Sequence, residues 1–223
     1  MAIVISVANQ KGGVGKTTTC VNVGAGLGMR GYKTLLIDFD PQRSLSSYFA
    51  LTRQTFNVED WVTDKQRFGD VVRETQFQFL HVVPATEKGL INVEHTIQSD
   101  FSLAFKCLQN AVDRIRNQYE FILIDTLPSV NLLFANSLVA GDYILIPAEL
   151  SFLSMQGLPL LQSKIAEVQQ SFKAVEVLGI FGTKFRQGVN ESENCLTELK
   201  TALPKLVFKS CVRLNSKVAE AAS

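Results

Sequence analysis

A short β-branched run, Ile3 to Ala8, leads directly into Asn9-Gln10-Lys11-Gly12-Gly13-Val14-Gly15-Lys16-Thr17-Thr18, and small and apolar residues with helical character follow from Thr17 to Arg30. No other feature of the chain limits its fold so strongly. A buried strand must hand over to a helix through a glycine loop, and glycine lets a backbone turn tightly and present closely set N–H groups. The helix opening near Lys16 adds the positive end of its dipole at the same place. N–H donors, a helix start and a lysine together form a cradle for phosphate. Lys16 suits the β- and γ-phosphates of a nucleotide, and the Thr17 hydroxyl suits Mg²⁺. The competing reading is a strand-to-helix turn that binds nothing; Gly-Lys-Thr in this context argues against it. The ordinary spacing G-x-x-x-x-G-K-[ST] is not met. Its first glycine would fall at Gln10, and a second lysine, Lys11, precedes the glycines instead.

The rest of the chain alternates between the two periodicities. Lys33 to Ile37, Phe79 to Val83, Phe121 to Ile124, Asp142 to Ile146 and Val175 to Phe181 read as strands. Phe101 to Asn117, Phe152 to Phe172 (with Pro159 an irregularity) and Glu191 to Leu203 read as helices. Alternation of this kind predicts βαβ units: an α/β fold, a mostly parallel twisted sheet with helices on both faces. Continuously apolar strands fit burial on both sides. Gln42 to Gln78 is the least regular stretch, with a short helix expected around Trp61. No repeat or linker divides the 223 residues, so one domain over 1–223 is expected.

Composition narrows the class further. A 46% hydrophobic share supports a sizeable core and excludes disordered and collagen-like chains. A net charge of +1 excludes an overall polycation, so any nucleic-acid contact must come from a local patch. Cys20, Cys107, Cys195 and Cys211 form no C-x-x-C pair and read as reduced, mostly buried thiols of a cytosolic protein. The charge-free stretch Thr126 to Gly141 is too short and too polar to span a bilayer. The N-terminal apolar run has no basic residue before it and does not read as a signal peptide.

Two aspartates each close an apolar strand, Asp38 and Asp125. Strand C-termini are where ligands bind in open α/β sheets, and a carboxylate there needs a cation or hydrogen bonds. Mg²⁺, held by Thr17, Asp38 and Asp125, is the natural partner; a helix cap is the bland alternative. Asp40 follows two residues after Asp38, before Pro41, where a plain turn residue would also fit.

Lys11 to Thr18 resembles the deviant Walker A box of the ParA/MinD ATPases. Leu35-Leu36-Ile37-Asp38-Phe39-Asp40-Pro41-Gln42 resembles the second box of that family, and Phe121-Ile122-Leu123-Ile124-Asp125-Thr126 its Walker B strand. Val83-Pro84-Ala85-Thr86 with Val93-Glu94, and Asp142 to Glu149 followed by Gly157-Leu158, carry the resemblance to about Thr183. Within the family, Asp40-Pro41-Gln42 and Val83-Pro84-Ala85-Thr86 are most similar to the short ParA partition ATPases. The resemblance implies a P-loop NTPase fold without a separate N-terminal DNA-binding domain, and it implies ATP or ADP with Mg²⁺ on Lys11 through Thr18 (Lys11, Gly12, Gly13, Val14, Gly15, Lys16, Thr17, Thr18). It gives Asp40 the attacking water, Thr183 the surroundings of the adenine, and Lys11 the nucleotide of a second subunit, hence a homodimer around two ATP molecules. Arg186 replaces the usual aspartate after Phe185, and Leu127 replaces a proline after Thr126.

From Leu199 to Val218 the charged residues are Lys200, Lys205, Lys209, Arg213 and Lys217, uninterrupted by an acid, with Lys184 and Arg186 earlier in the chain. Such a run is often only a solvated face. The resemblance implies non-specific duplex DNA binding here, through Lys184, Arg186, Lys205, Lys209, Arg213 and Lys217, in the ATP-bound dimer. It also implies a ParB-like partner that stimulates slow hydrolysis, and a task in plasmid or chromosome partition. The segment ending Ala221-Ala222-Ser223 shows no basic amphipathic helix of the kind by which MinD-type members grip membranes. Membrane positioning, a small-molecule synthetase on the same nucleotide fold, and a binding module without turnover are the rival expectations.

Overall fold

The computed structural model describes residues 1–51, 54–99, 104–172 and 175–217. In chain order the elements are β1 (Ile3–Val7), α1 (Lys16–Gly28), β2 (Thr34–Phe39), α2 (Ser44–Tyr48), α3 (Val58–Val62), α4 (Phe68–Val71), β3 (Arg73–Glu74), β4 (Leu80–Val83), α5 (Glu87–Ser99), α6 (Cys107–Asp113), β5 (Phe121–Thr126), α7 (Leu132–Ala140), β6 (Tyr143–Glu149), α8 (Phe152–Met155), α9 (Leu158–Ser171), β7 (Glu176–Thr183) and α10 (Asn190–Ala202). The strands form one sheet in the order β3-β4-β2-β5-β1-β6-β7. All neighbours run parallel except the two-residue β3, which pairs antiparallel with β4.

Neighbouring residues of one strand point to opposite faces, and each face has its own core. Leu35, Ile37, Ile122 and Ile124 join the larger cluster beneath α3, α5, α6, α7 and α9. Leu36, Leu123, Val7 and Leu145 join the smaller one beneath α1. α1 lies so close to the sheet that a Cβ on Gly24 would stand 2.6 Å from Leu36 Cδ2. From β1 the chain moves first toward β2 and β4, and later to β6 on the other side. The C-terminal end of β1 is therefore a switch point, where α/β sheets open a crevice for ligands.

The expected strands are present with ends shifted by one to three residues, and the short helix at Trp61 is α3, closed by a capping box of Asn57 and Asp60. Two expectations need correction, and one element was not expected. The helix expected over Phe101 to Asn117 is limited to Cys107–Asp113; residues 104–106 form a turn, and 101–103 lie outside the described residues. The helix expected over Phe152 to Phe172 is broken into α8 and α9, because Pro159 sits in the first turn of α9, where its missing N–H costs nothing. The stretch Thr126 to Gly141 contains α7, which amphipathic periodicity could not find because it is buried nearly all round. Its start is marked by Asn131, whose side chain accepts from the Phe134 N–H at 3.0 Å. Among the cysteines, Cys20, Cys107 and Cys195 are buried free thiols and Cys211 is partly exposed.

Beyond α10 the chain returns along the outer edge of β7. Ile180 N–H donates to the Leu206 carbonyl and Phe208 N–H to that of Ile180, both at 2.8 Å; Phe185 and Leu214 continue the pairing past the strand's end. The Phe208 ring lies over Gly179, so close that a Cβ there would be 2.2 Å from it. The lysine-rich segment is thereby fixed to the sheet in a defined register.

Candidate nucleotide site

The glycine loop leaves β1 at the switch point and is held from outside. Asn9 Nδ2 donates to the Pro147 carbonyl at 2.8 Å, while its Oδ1 accepts from the Lys11 N–H at 3.0 Å. Gly13 (φ 73°) and Gly15 (φ 95°) occupy the left-handed region, which a side chain would strain. Val14 is fully buried, and its carbonyl accepts from the Thr183 hydroxyl at 2.9 Å. Lys16 folds back under the loop, its Nζ 3.1 Å from the Lys11 carbonyl. Burial lowers its pKa, and the nearby Asp125 and Asp40 carboxylates oppose that.

The register aligns Val7, Asp125 and Asp38 across adjacent strands. The Thr17 hydroxyl donates to Asp125 Oδ2 at 2.7 Å. Asp125 Oδ1 is buried with no hydrogen-bond partner among the described residues. Burial, with Asp38 beside it, pushes the Asp125 pKa well above the ordinary carboxylate range. An orphaned carboxylate oxygen next to a threonine hydroxyl fits a hard cation that takes oxygen ligands. Among the described residues no cluster of three or more His, Cys, Asp or Glu could hold a metal. Magnesium held by one or two side chains and nucleotide phosphates needs no such cage.

Asp38 is differently engaged. Its Oδ2 accepts from both the N–H and the hydroxyl of Ser46, at 2.8 and 2.6 Å, and its Oδ1 from the Asp40 N–H at 3.3 Å. Ser46 in turn accepts from the Ala85 N–H at 2.9 Å. Burial raises the Asp38 pKa to about 6 against these hydrogen bonds. Asp38, expected as a metal ligand, ties α2 and the segment after β4 to the sheet through these bonds. Asp40 is buried at the mouth of the cleft, where its Oδ1 accepts from the Gln42 N–H at 2.9 Å. Burial raises its pKa too, with Lys16 pulling the other way.

The cleft itself has a volume of about 460 Å³, within the range of small-molecule sites, and Gly12, Gly13, Gly15, Lys16, Thr17 and Thr18 form its wall opposite Asp40. A larger hollow of about 550 Å³ near Trp61 and Arg114 lies away from the loop and has no comparable convergence of groups. Thr183, expected beside the adenine, has its hydroxyl on the Val14 carbonyl and so fixes the loop to the end of β7.

Lys11 has its ammonium outside the loop. Nζ donates to Ser154 Oγ at 2.6 Å and pairs with Glu149 Oε2 at 3.3 Å. The other oxygen of Glu149 faces Lys184 Nζ at 3.5 Å. Burial would raise the Glu149 pKa, but the Lys11 hydrogen bond and the charges of Lys184 and Lys11 outweigh it and hold the carboxyl below its usual value. Glu149, Ser154, Ser46 and Asn9 were not singled out from the sequence, because their partners lie far away along the chain. Lys184 also moves between groups. The sequence places it with the basic strip, yet its left-handed backbone (φ 53°) and its ion pair bring Nζ to 3.9 Å from where a Gly13 Cβ would stand. Arg186, Lys205, Lys209, Arg213 and Lys217 remain as exposed cations, without an ion pair among the described residues. The pairing of Phe185 with Arg213 fixes the register of the strip beside the end of β7.

Comparison with known proteins agrees with this geometry. A protein-family model described as an AAA domain matches residues 2–177. The chromosome-partitioning ATPase Soj of Treponema pallidum is 35% identical over 217 residues, covering 96% of this chain and 84% of that protein. The structure of apo McdA from Cyanothece superposes with a TM-score of 0.91 at 21% identity, over 100% of this chain and 90% of the other, a likeness of fold. That of cobyrinic acid a,c-diamide synthase from Mycobacterium smegmatis, with a bound ATP analogue and magnesium, has a TM-score of 0.89 at 26% identity, over 100% and 91%.

Proposed function

This chain belongs to the ParA/MinD family of partition ATPases, and on that premise we propose that it is an ATP-driven switch that dimerises and tethers itself to DNA. Lys16 and the loop N–H groups bind the nucleotide phosphates. Thr17 and Asp125, with Asp38 beside them, would hold Mg²⁺, which would supply charge neutralisation at the phosphate oxygens. Asp40 aligns the attacking water, since phosphoryl transfer needs positioning more than a strong base. Lys11 carries the reading. One lysine already lies under the loop, and the second has its ammonium outside it on Glu149 and Ser154. A cation free of its own loop suits the nucleotide of a second copy, where it would steady transition-state charge as an arginine finger does.

Dimerisation then doubles the exposed cations of residues 186–217 on one particle. Neutralising backbone phosphates releases counterions, which makes binding cooperative with assembly and steeply dependent on salt. A ParB-like partner that completes the site would stimulate slow turnover, and release of the ADP form from DNA would let the protein cycle during plasmid or chromosome partition. On this reading the protein acts in the cytoplasm, bound to the nucleoid in its ATP state. The test is binding to random-sequence duplex DNA with ATP, ADP and no nucleotide, across a salt series. Binding with ATP alone, weakening with salt, is the expected result; no binding in any state overturns the DNA arm.

A second reading has one observation in its favour. Phe208, Val212 and Leu214 are 41%, 50% and 49% exposed between the cations, as on a surface that meets anionic lipid. The segment runs as an extended edge beside β7 rather than as an amphipathic helix, so duplex DNA is the better match. Anionic vesicles belong in the same experiment as the competing ligand.

A further inference from the structure

The carboxylate of Glu149 is shared by two lysines that flank the glycine loop, Lys11 on Oε2 and Lys184 on Oε1. Ser154 Oγ strengthens the Lys11 side: it accepts from Lys11 Nζ, lies 3.3 Å from Glu149 Oε2 and 2.7 Å from Ser151 Oγ. The Lys11 side chain is 35% exposed and that of Glu149 23%, so the pair is neither free in solvent nor locked in the core. In the single chain the ammonium that a partner's nucleotide would need is already occupied.

We propose that Glu149 and Ser154 park Lys11 in the single chain, and that giving up this contact is the step that sets how readily the ATP-bound dimer forms. The inference rests on the dimer reading above. The arrangement suits a contact that must open. Leaving a half-buried carboxylate without a cation is costly, and Lys184 removes most of that cost, because it stays on Oε1 when Lys11 leaves. The parked ion pair is partly exposed and therefore modest in strength. A phosphate group, carrying more charge and more acceptor oxygens, outcompetes it. Lys184 also has a backbone in the left-handed region, where a lysine is uncommon, consistent with a position fixed by its side-chain role.

Glu149 and Lys184 thus act on dimerisation with opposite signs. Glu149→Gln releases Lys11. Lys184→Asn, a residue that tolerates the left-handed backbone, leaves Lys11 as the sole cation on Glu149 and tightens the parked state. Each dimer opens two such contacts, so a contact worth about threefold moves the dimerisation midpoint about tenfold. Sedimentation velocity over a protein concentration series, with Mg²⁺ and a slowly hydrolysed ATP analogue, reads this directly. Glu149→Gln is expected to dimerise at about tenfold lower concentration than the parent, and Lys184→Asn at a higher one. A general loss of structure would move both variants the same way. Midpoints shifted in the same direction, or unshifted, overturn the parking contact while the dimer reading stands. No dimer in any of the three proteins overturns the dimer reading, and the parking contact with it.

Discussion

Around the glycine loop the polar side chains are held by distant parts of the chain, whereas along residues 205–217 the cations extend from a backbone that alone is pinned. Asn9 is tied to Pro147, Thr17 to Asp125, Thr183 to Val14 and Ser46 to Ala85. Lys205, Lys209, Arg213 and Lys217 carry no ion pair among the described residues, and only the bridges to Ile180 and Phe185 fix their register. A buried polar network is costly to leave half-satisfied, so its members are preorganised and depend on one another. Exposed cations over a flexible stem are cheap to move and act through the field they sum to. The first region can discriminate a reacting group; the second can read only charge.

The comparison breaks most directly at Lys16. Lys16→Ala removes the buried cation between the loop and the aspartates, and ATP binding should fall by at least about a hundredfold, with hydrolysis abolished. Normal turnover in that variant would remove the loop from the function. Asp40→Ala tests the chemistry within the same region. ATP-dependent dimers should persist while turnover slows about a hundredfold or more; unchanged hydrolysis would leave Asp40 as a turn residue before Pro41.

Asp40 and Lys11 stand out in the sequence only through the resemblance to the family's boxes, since a turn residue and a solvated lysine fit their spacing as well. Lys16, Thr17 and Asp125 stand out as candidates because each belongs to a local strand-loop-helix or strand-end pattern whose chemistry is set by neighbours a few positions away. The parallel sheet was legible for the same reason, in its continuously apolar strands. Ser46 and Glu149 were not, because nothing near them in the chain demands their chemistry. Ser46 bridges Asp38 to Ala85, 39 residues on, and Glu149 faces Lys11 from far along the chain, so only the folded sheet brings each set together. α7 was hidden for a different reason: a helix buried on all sides has no polar face to give it a period. The basic strip was visible as composition, but its geometry was not. Helix and turn separate it from the strand edge it lies on, as Gly182 and its partner Val212 show, and nothing local signals the contact of Phe208 with Gly179.

Ser46→Ala sharpens the contrast by striking the network away from the nucleotide. It strips one hydrogen bond from the Asp38 carboxylate and leaves the Ala85 N–H unpaired. A loss of about 2 kcal/mol is expected, lowering the melting temperature by about 4–8 °C. The sign of its pH dependence follows from Asp38, whose pKa is raised to about 6 by burial. A raised carboxyl makes the folded state favour the proton, so Asp38 supports folding at low pH and that support is lost as pH rises through the folded value. The Ser46 bonds oppose the rise by favouring the ionised form, and their removal pushes the value higher still. The gap between parent and variant should therefore be small near pH 5 and widen by pH 8. A gap independent of pH would detach Ser46 from the charge on Asp38.

The smallest effects belong to the strip, and their arithmetic rather than their size decides the comparison. Arg213→Ala should weaken ATP-dependent DNA binding a few-fold and lower the slope of log affinity against log salt by about 1, the signature of one lost phosphate contact. Arg213→Glu should do more, since it adds a repelling charge, while dimerisation by sedimentation stays intact. Lys209→Ala should behave like Arg213→Ala, and the double variant should equal the sum of the two within about 0.5 kcal/mol. Additivity is what independent cations on a fixed edge require. Strong coupling between Arg213 and Lys209 would mean that the strip is an organised site of the same kind as the loop, and the difference between the two regions would be one of degree. Unaltered affinity in all four variants would move the DNA-binding surface elsewhere on the dimer.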